Sequence, residues 1–380
     1  MTRKRLFTSD TLDAVAYIVL LLAVASWVAI LCVKQLTYGL EFDESYLLGV
    51  ANNLASGSGY VDDGVTFLST SEPFSPVIST GPTVLIPVSL TWWIFDGDLL
   101  AIRFTMLIFF GILLFSVWRL FGNLSGRWAS LAAVGGLALV PTVAPDLQNT
   151  SLMPGRVVGE LPALALLLLA GLLLSKHRYF WSGLCLGLML LSKLTFAIPA
   201  AALIATFFVF ELLNRHISPW QFLLRNFCGV AAPLIAFELI KTVTLGPDGY
   251  VRHIDALRDF LGNQDIPWHQ LYIFFDEHLE GTLRLLSVPL LTVVVVMIAL
   301  TWRWTRLRMG SSQNWRDARD HATGWVIAAL SAGLAMMFLW WFFRSQQYSA
   351  RPALPTVLWL AIASCGVAFS IATQDRSRSD

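Results

Sequence analysis

Glu41, Asp43 and Glu44 fall within four positions of one another, directly after a long apolar run. A carboxylate held at the edge of an apolar phase, where partial desolvation favours its protonated form, is a usable general base. A fourth acid, Glu160, stands where another apolar run opens, and a carboxylate at membrane depth costs enough that a functional role is the first reading to consider. Cations are available to match. Lys193 ends an apolar run, and Arg344 and Arg351 flank the short segment SQQYSA. Arginine offers a phosphate a planar two-bond fork, whereas lysine acts as a point charge. Each of these groups also has a plainer role. Acids in a first turn complement the helix dipole, Glu160 can pair with Arg156 one turn earlier, and cations at helix ends can snorkel to the interface.

The elements that must carry these residues are apolar helices. The 380 residues are 56% hydrophobic and 13% charged, which excludes a soluble globular domain. Runs close to the roughly 20 residues that cross a hydrocarbon core lie near 13–33, 101–120, 128–145, 157–175, 180–193, 195–213, 227–245, 285–302, 323–343 and 353–373. Lipid cannot satisfy an open backbone, so the expectation is an all-α, polytopic transmembrane bundle of about ten spans forming a single membrane domain over 1–380. The first run, basic at its start and too long for a signal peptide, reads as a retained span. Cys32, Cys185, Cys228 and Cys365 have no metal or disulfide spacing.

Charge sets the expected topology. If GPTVLIPVSLTWWIFDGD (81–98) does not cross, the loops around Arg119 and Arg127, Lys176 and Arg178, Arg215 and Arg225, and the loop 303–321 share one side with both termini. That side then holds most of the 26 Lys and Arg and is cytoplasmic by the positive-inside rule; most of the 25 Asp and Glu lie opposite. A first outer loop (34–100) and a second (246–283) face that opposite side. Residues 42–55 read as a short amphipathic helix with Leu47, Val50, Ala51 and Leu54 on one face, so Asp43 and Glu44 occupy its first turn. VRHIDALRDFLGN reads as another surface helix. His253, His269 and His278, in the second loop, match no standard metal pattern.

The segments FDESYLLGVANNLASGSGY, STGPTVLIPVSLTWWIFDGD with the IRF that follows, GRVVGELPALALLLLAGLLL, SGLCLGLMLLSKLTFAIPAAAL and RSQQYSARPALP come in an order that resembles the GT-C membrane glycosyltransferases. These use polyprenyl-phosphate sugars and include protein O-mannosyltransferase-like and aminoarabinose-transferase-like enzymes. The resemblance covers most of 13–360; the acidic pair followed by TGP and the later LLSK are its more specific parts. It implies that Asp43 is the catalytic base, with Glu44 and Glu160 in the catalytic set. An acid near Glu160 orients the acceptor or, in some members, binds a metal. A lysine matching Lys193 is also a family feature.

The function expected is inverting transfer of a sugar from a polyprenyl phosphate to a hydroxyl acceptor (glycan, lipid or protein) on the outer face of a bacterial or archaeal plasma membrane. Lys193, Arg344 and Arg351 would hold the donor phosphate. No cofactor is required by the chemistry, and a divalent metal is left open. Membrane lipids are partners and nucleic acid is not. The alternative is a transporter or lipid flippase, in which acids cluster nearer mid-membrane and repeats are paired; a non-catalytic scaffold would make the same carboxylates dispensable.

Overall fold

The computed structural model describes residues 9–62, 73–143, 154–214, 217–262, 318–344 and 354–379. Within them the chain forms α1 (Ser9–Leu36), α2 (Phe42–Ala55), α3 (Pro82–Ile94), α4 (Leu99–Ser125), α5 (Arg127–Val143), α6 (Glu160–Leu174), α7 (Tyr179–Leu190), α8 (Ala197–Asn214), α9 (Pro219–Gly262), α10 (Ala318–Arg344) and α11 (Leu354–Ser379). A single 3-10 turn, Leu194–Phe196, joins α7 to α8.

Among the described residues five helices are long and apolar enough to cross a membrane: α1, α4, α8 with its 3-10 turn, α9 and α10. The apolar part of α11 and the helices α3, α6 and α7 are shorter. Ten full spans are therefore not found among the described residues, and the run at 285–302 lies outside them. The difference has a physical reason for α6 and α7, which have 15 and 12 residues, short of the roughly 20 that span hydrocarbon. Their apolarity serves protein packing. α6 is buried on nearly every side, against α4 and α7 and, through Gly171, against Val326 and Leu330 of α10. Helix α7 lies on α9 where Gly183, Gly187 and Gly229 bring the two backbones into contact, the small-residue packing usual where lipid supplies no hydrophobic drive between helices.

Apart from α2 and α3, the helices run alternately between two ends of the bundle. At one end Asp13 pairs with Arg127 at 2.6 Å and Trp128 stacks on Phe369, so the start of α1, the start of α5 and the latter part of α11 meet. The turn 175–178 belongs to this end too, because α6 carries the chain there from Glu160 over about 22 Å. The other end holds the close of α1, all of α2 and α3, the start of α4 and the turn between α7 and α8.

Two cores result. The large one fills the bundle, with Phe121, Leu164, Phe207, Trp341 and Trp359 fully buried. The small one caps it at the second end, where Leu47, Val50 and Ala51 of α2 meet Val84, Leu85 and Val88 of α3, Ile102 and Met106 of α4, and Val157. Tyr60 and Phe74 stack over this cap, and Phe237 of α9 packs edge-on to both. Helix α9 turns at Gly246, whose positive φ of 69° suits glycine, and Tyr250 beyond the bend donates to Glu238 before it at 2.9 Å. His253 packs inward while Val251 and Ile254 are exposed, as expected of a helix with an apolar outer face.

With the four native cysteines removed, single cysteines replacing Ser58 and Lys176, both exposed, should react with a membrane-impermeant thiol reagent from opposite sides. Labelling of both in intact cells would contradict this two-ended arrangement.

Candidate active site

The close of α1, the first turn of α2 and the first turns of α4 are held by one side chain. Arg103 is 1% exposed, as is its partner Glu44. Its Nε donates to Glu44 Oε1 at 3.2 Å and its Nη2 to Oε2 at 2.9 Å, the two-bond fork that makes arginine–carboxylate pairs strong and directional. The same guanidinium donates to the carbonyls of Gln35, Leu36 and Tyr38 through Nη1 and to Gly39 through Nη2. A helix leaves its last carbonyls without internal partners, and here a buried cation supplies them.

A second arginine grips the other flank of Asp43. Arg156, 2% exposed, forms an ion pair with Glu41, and its guanidinium lies over the Tyr38 ring at 5.2 Å. Arg156 and Glu160 do not form the one-turn pair that their spacing suggested. Residues 156–158 are not helical and α6 begins at Glu160, so the two share no helical face. Glu160 turns instead to Lys193, Oε1 to Nζ at 3.1 Å.

The opening carboxylates thus divide by partner. Glu41 belongs to Arg156 and Glu44 to Arg103, while Asp43 stands between them in sequence, half-buried, about 100° around the helix from Glu44. Further along, Tyr46 donates to the buried Asp62 at 3.2 Å, Asn53 to the Val61 carbonyl at 3.1 Å and Tyr60 to the Thr80 carbonyl at 3.0 Å.

Thr80-Gly81-Pro82 and the turn Leu191–Lys193 are in backbone contact. Gly81 N donates to Ser192 O at 3.1 Å and Thr83 Oγ1 to Leu188 O at 2.7 Å; a Cβ on Gly81 would collide with the Leu191 carbonyl. On the far side of the same turn, Ser192 Oγ donates to Gly159 O at 2.9 Å, and a Cβ on Gly159 would stand 2.6 Å from Ser192 O. Three backbones therefore meet at residues 191–193, and the spacing of Glu160 from Lys193 is set by main chain on both sides.

Of the residues singled out from sequence, the structure brings Asp43, Glu44, Glu160 and Lys193 to one end of the bundle. Arg344 closes α10, but its side chain, like all of Arg351, lies outside the described residues, as do His269 and His278. Arg103 and the Arg156–Glu41 pair were not assigned roles. The signal for Arg103 was present: an arginine inside an apolar run needs a buried partner. Among the described residues no group of three or more His, Cys, Asp or Glu side chains is placed to hold a metal ion.

Residues 80–236 match the family described as dolichyl-phosphate-mannose-protein mannosyltransferase. The fold is similar to that of ArnT from Cupriavidus metallidurans in the apo state, with a TM-score of 0.56 at 14% identity. Against the same protein bound to undecaprenyl phosphate the TM-score is 0.57, again at 14% identity. Both comparisons cover 95% of this chain and 60% of the ArnT chain, so the chain spans about three-fifths of that protein's length. No curated protein sequence matches.

Breaking a buried ion pair from one side costs about 3–5 kcal/mol. Glu44→Ala and Arg103→Ala should each lower thermal stability by a large fraction of the total, and Arg103→Lys should recover only part of it, because an ammonium cannot span Glu44 and four carbonyls together. Melting of the purified variants in detergent checks this; near-native melting of Arg103→Ala would remove Arg103 as the tie.

Proposed function

We propose that this protein transfers a sugar from a polyprenyl monophosphate to a hydroxyl acceptor, with inversion at the anomeric carbon and Asp43 as general base. The observation that carries the reading is the convergence of acid–base ion pairs at the end of the bundle that holds the first turn of α2. Glu41–Arg156 ties the first turn of α2 to the residues leading into α6, and Glu160–Lys193 ties the head of α6 to the turn between α7 and α8. Asp43, two residues from Glu41, and Lys193 are an acid and a cation of the kinds such a transfer needs, and both lie at this end of the bundle.

In the step itself the acceptor oxygen attacks the anomeric carbon, its proton passes to an Asp43 carboxylate oxygen, and the carbon–oxygen bond to phosphate breaks with the electron pair remaining on phosphate. The sugar passes through an oxocarbenium-like state, and cations facing the departing phosphate stabilise the charge that develops there. Phosphate leaves as an anion at neutral pH, so no second carboxyl is needed as an acid. Lys193 has three N–H donors; its charge is paired with Glu160, and a phosphate can take the donors. Arg344 and Arg351 complete the phosphate site in this reading. Glu44 acts through its grip on Arg103, which fixes the turn that bears the base.

The substrate class is supported by the family match and by the undecaprenyl phosphate bound to a protein of the same fold. The acid-rich end is the outer face in this proposal. Arg127, Lys176, Arg178 and Arg225 gather at the opposite end, which the positive-inside rule makes cytoplasmic together with both termini.

Asp43→Asn keeps the shape and removes the basicity. Turnover should fall by about 10² to 10⁴-fold, with folding and lipid binding retained, and Glu44→Gln should lose activity together with stability. The assay is release of polyprenyl phosphate from a panel of polyprenyl-phosphate sugars by purified protein. Near-normal turnover by Asp43→Asn would mean that the base is another residue.

A further inference from the structure

Lys193 is 17% exposed and Glu160 7%, so the pair is nearly dry but open on one side. An ammonium left unpaired in such a place is costly; Glu160 is the anion that lets the chain keep it there. Glu160 has a second support. As the first residue of α6 it sits at the positive end of a helix dipole, which stabilises a carboxylate. Its charge is not stranded if Lys193 turns away. Lys193, by contrast, has no other carboxylate partner among the described residues. The pair is asymmetric, and an incoming anion can take the lysine at little expense to the acid.

We propose that Glu160 is a place-holding anion on Lys193, displaced by the phosphate of the polyprenyl lipid on binding and returning to the lysine to expel the lipid phosphate after transfer. This rests on the donor class proposed above. The phosphate brings oxygen acceptors and at least one full negative charge to the ammonium that Glu160 holds at 3.1 Å. While the lipid is bound, Glu160 stays at the head of α6; when the sugar has gone, the same carboxylate competes for Lys193. Glu160 thereby sets how fast the spent carrier leaves.

The sign of the effect separates this role from a merely structural one. A Glu160 that only props up Lys193 would, on removal, weaken lipid binding; a competitor would strengthen it. Undecaprenyl phosphate, free of sugar, is titrated into the full-length protein in lipid nanodiscs, for the wild type, Glu160→Gln, Glu160→Asp and Lys193→Ala. Glu160→Gln should bind about tenfold more tightly, the scale of one charge-assisted hydrogen bond in competition, and dissociate correspondingly more slowly. Glu160→Asp, one methylene short of the lysine, should shift in the same direction by less, and decides the matter if Glu160→Gln does not fold. Lys193→Ala should bind more weakly. Unchanged or weaker binding by the Glu160 variants, with Lys193→Ala still impaired, overturns the exchange and leaves the donor class standing. Absence of binding by the wild type overturns both.

Discussion

The Arg103 guanidinium is the tie on which the acid-bearing end of this protein depends. One buried cation closes α1, fixes the turn at Tyr38 and Gly39 and clamps Glu44. Removing it would leave a buried carboxylate and several carbonyls unsatisfied at once, each a group that folding keeps dry only when it is paired. The clamp also converts α2 from a short surface helix, marginal by itself, into an element with a defined rotation. Leu47, Val50 and Ala51 can face the small core only if Glu44 faces Arg103, and that places Asp43 on the remaining side of the first turn. Arg156 confirms the rotation from the other flank through Glu41.

The small core and the three-backbone contact at 191–193 do different work. The core orients α2, α3 and α4 through side-chain packing, which tolerates apolar exchange of similar volume. The backbone contact tolerates none, because Gly81 and Gly159 have no room for a Cβ. The family match runs from Thr80 to Ala236; it contains Gly81, Arg103, Arg156, Glu160 and Lys193 but not Asp43. The matched segment holds Arg103, the Glu160–Lys193 pair and its scaffold, while the proposed base comes from the helix that Arg103 steadies.

Hydropathy made the helices legible, because lipid and protein interior both demand apolar side chains and closed backbones. The helix over 42–55 could be read from the spacing of Leu47, Val50, Ala51 and Leu54. What hydropathy could not separate was a helix facing lipid from one sheathed in protein: α6 is apolar all round because protein surrounds it, and its 15 residues carry the chain between the two ends of the bundle inside that sheath. The pairings were the other loss. Arg156 and Glu160 are four apart, and that spacing means contact only inside a helix. The helix starts at Glu160, so the rule did not apply, and the true partners lie far off in sequence. Arg103 was readable as a charge that must be paired, but a partner 59 residues away is a fact of tertiary structure. The fold resemblance rested on short motifs, and the similarity to ArnT extends it to 95% of the chain.

Helix α6 is sheathed in apolar side chains for nearly its whole length, and this governs how its positive end behaves in brine. On a surface helix, mobile ions gather along the flanks and blunt the dipole within a Debye length of about 8–10 Å. No ion can enter the sheath around α6, so only the mouth at Glu160 is open to the electrolyte. The attraction that this end exerts on an anion is therefore blunted by salt at the mouth alone and not along the flanks of the helix.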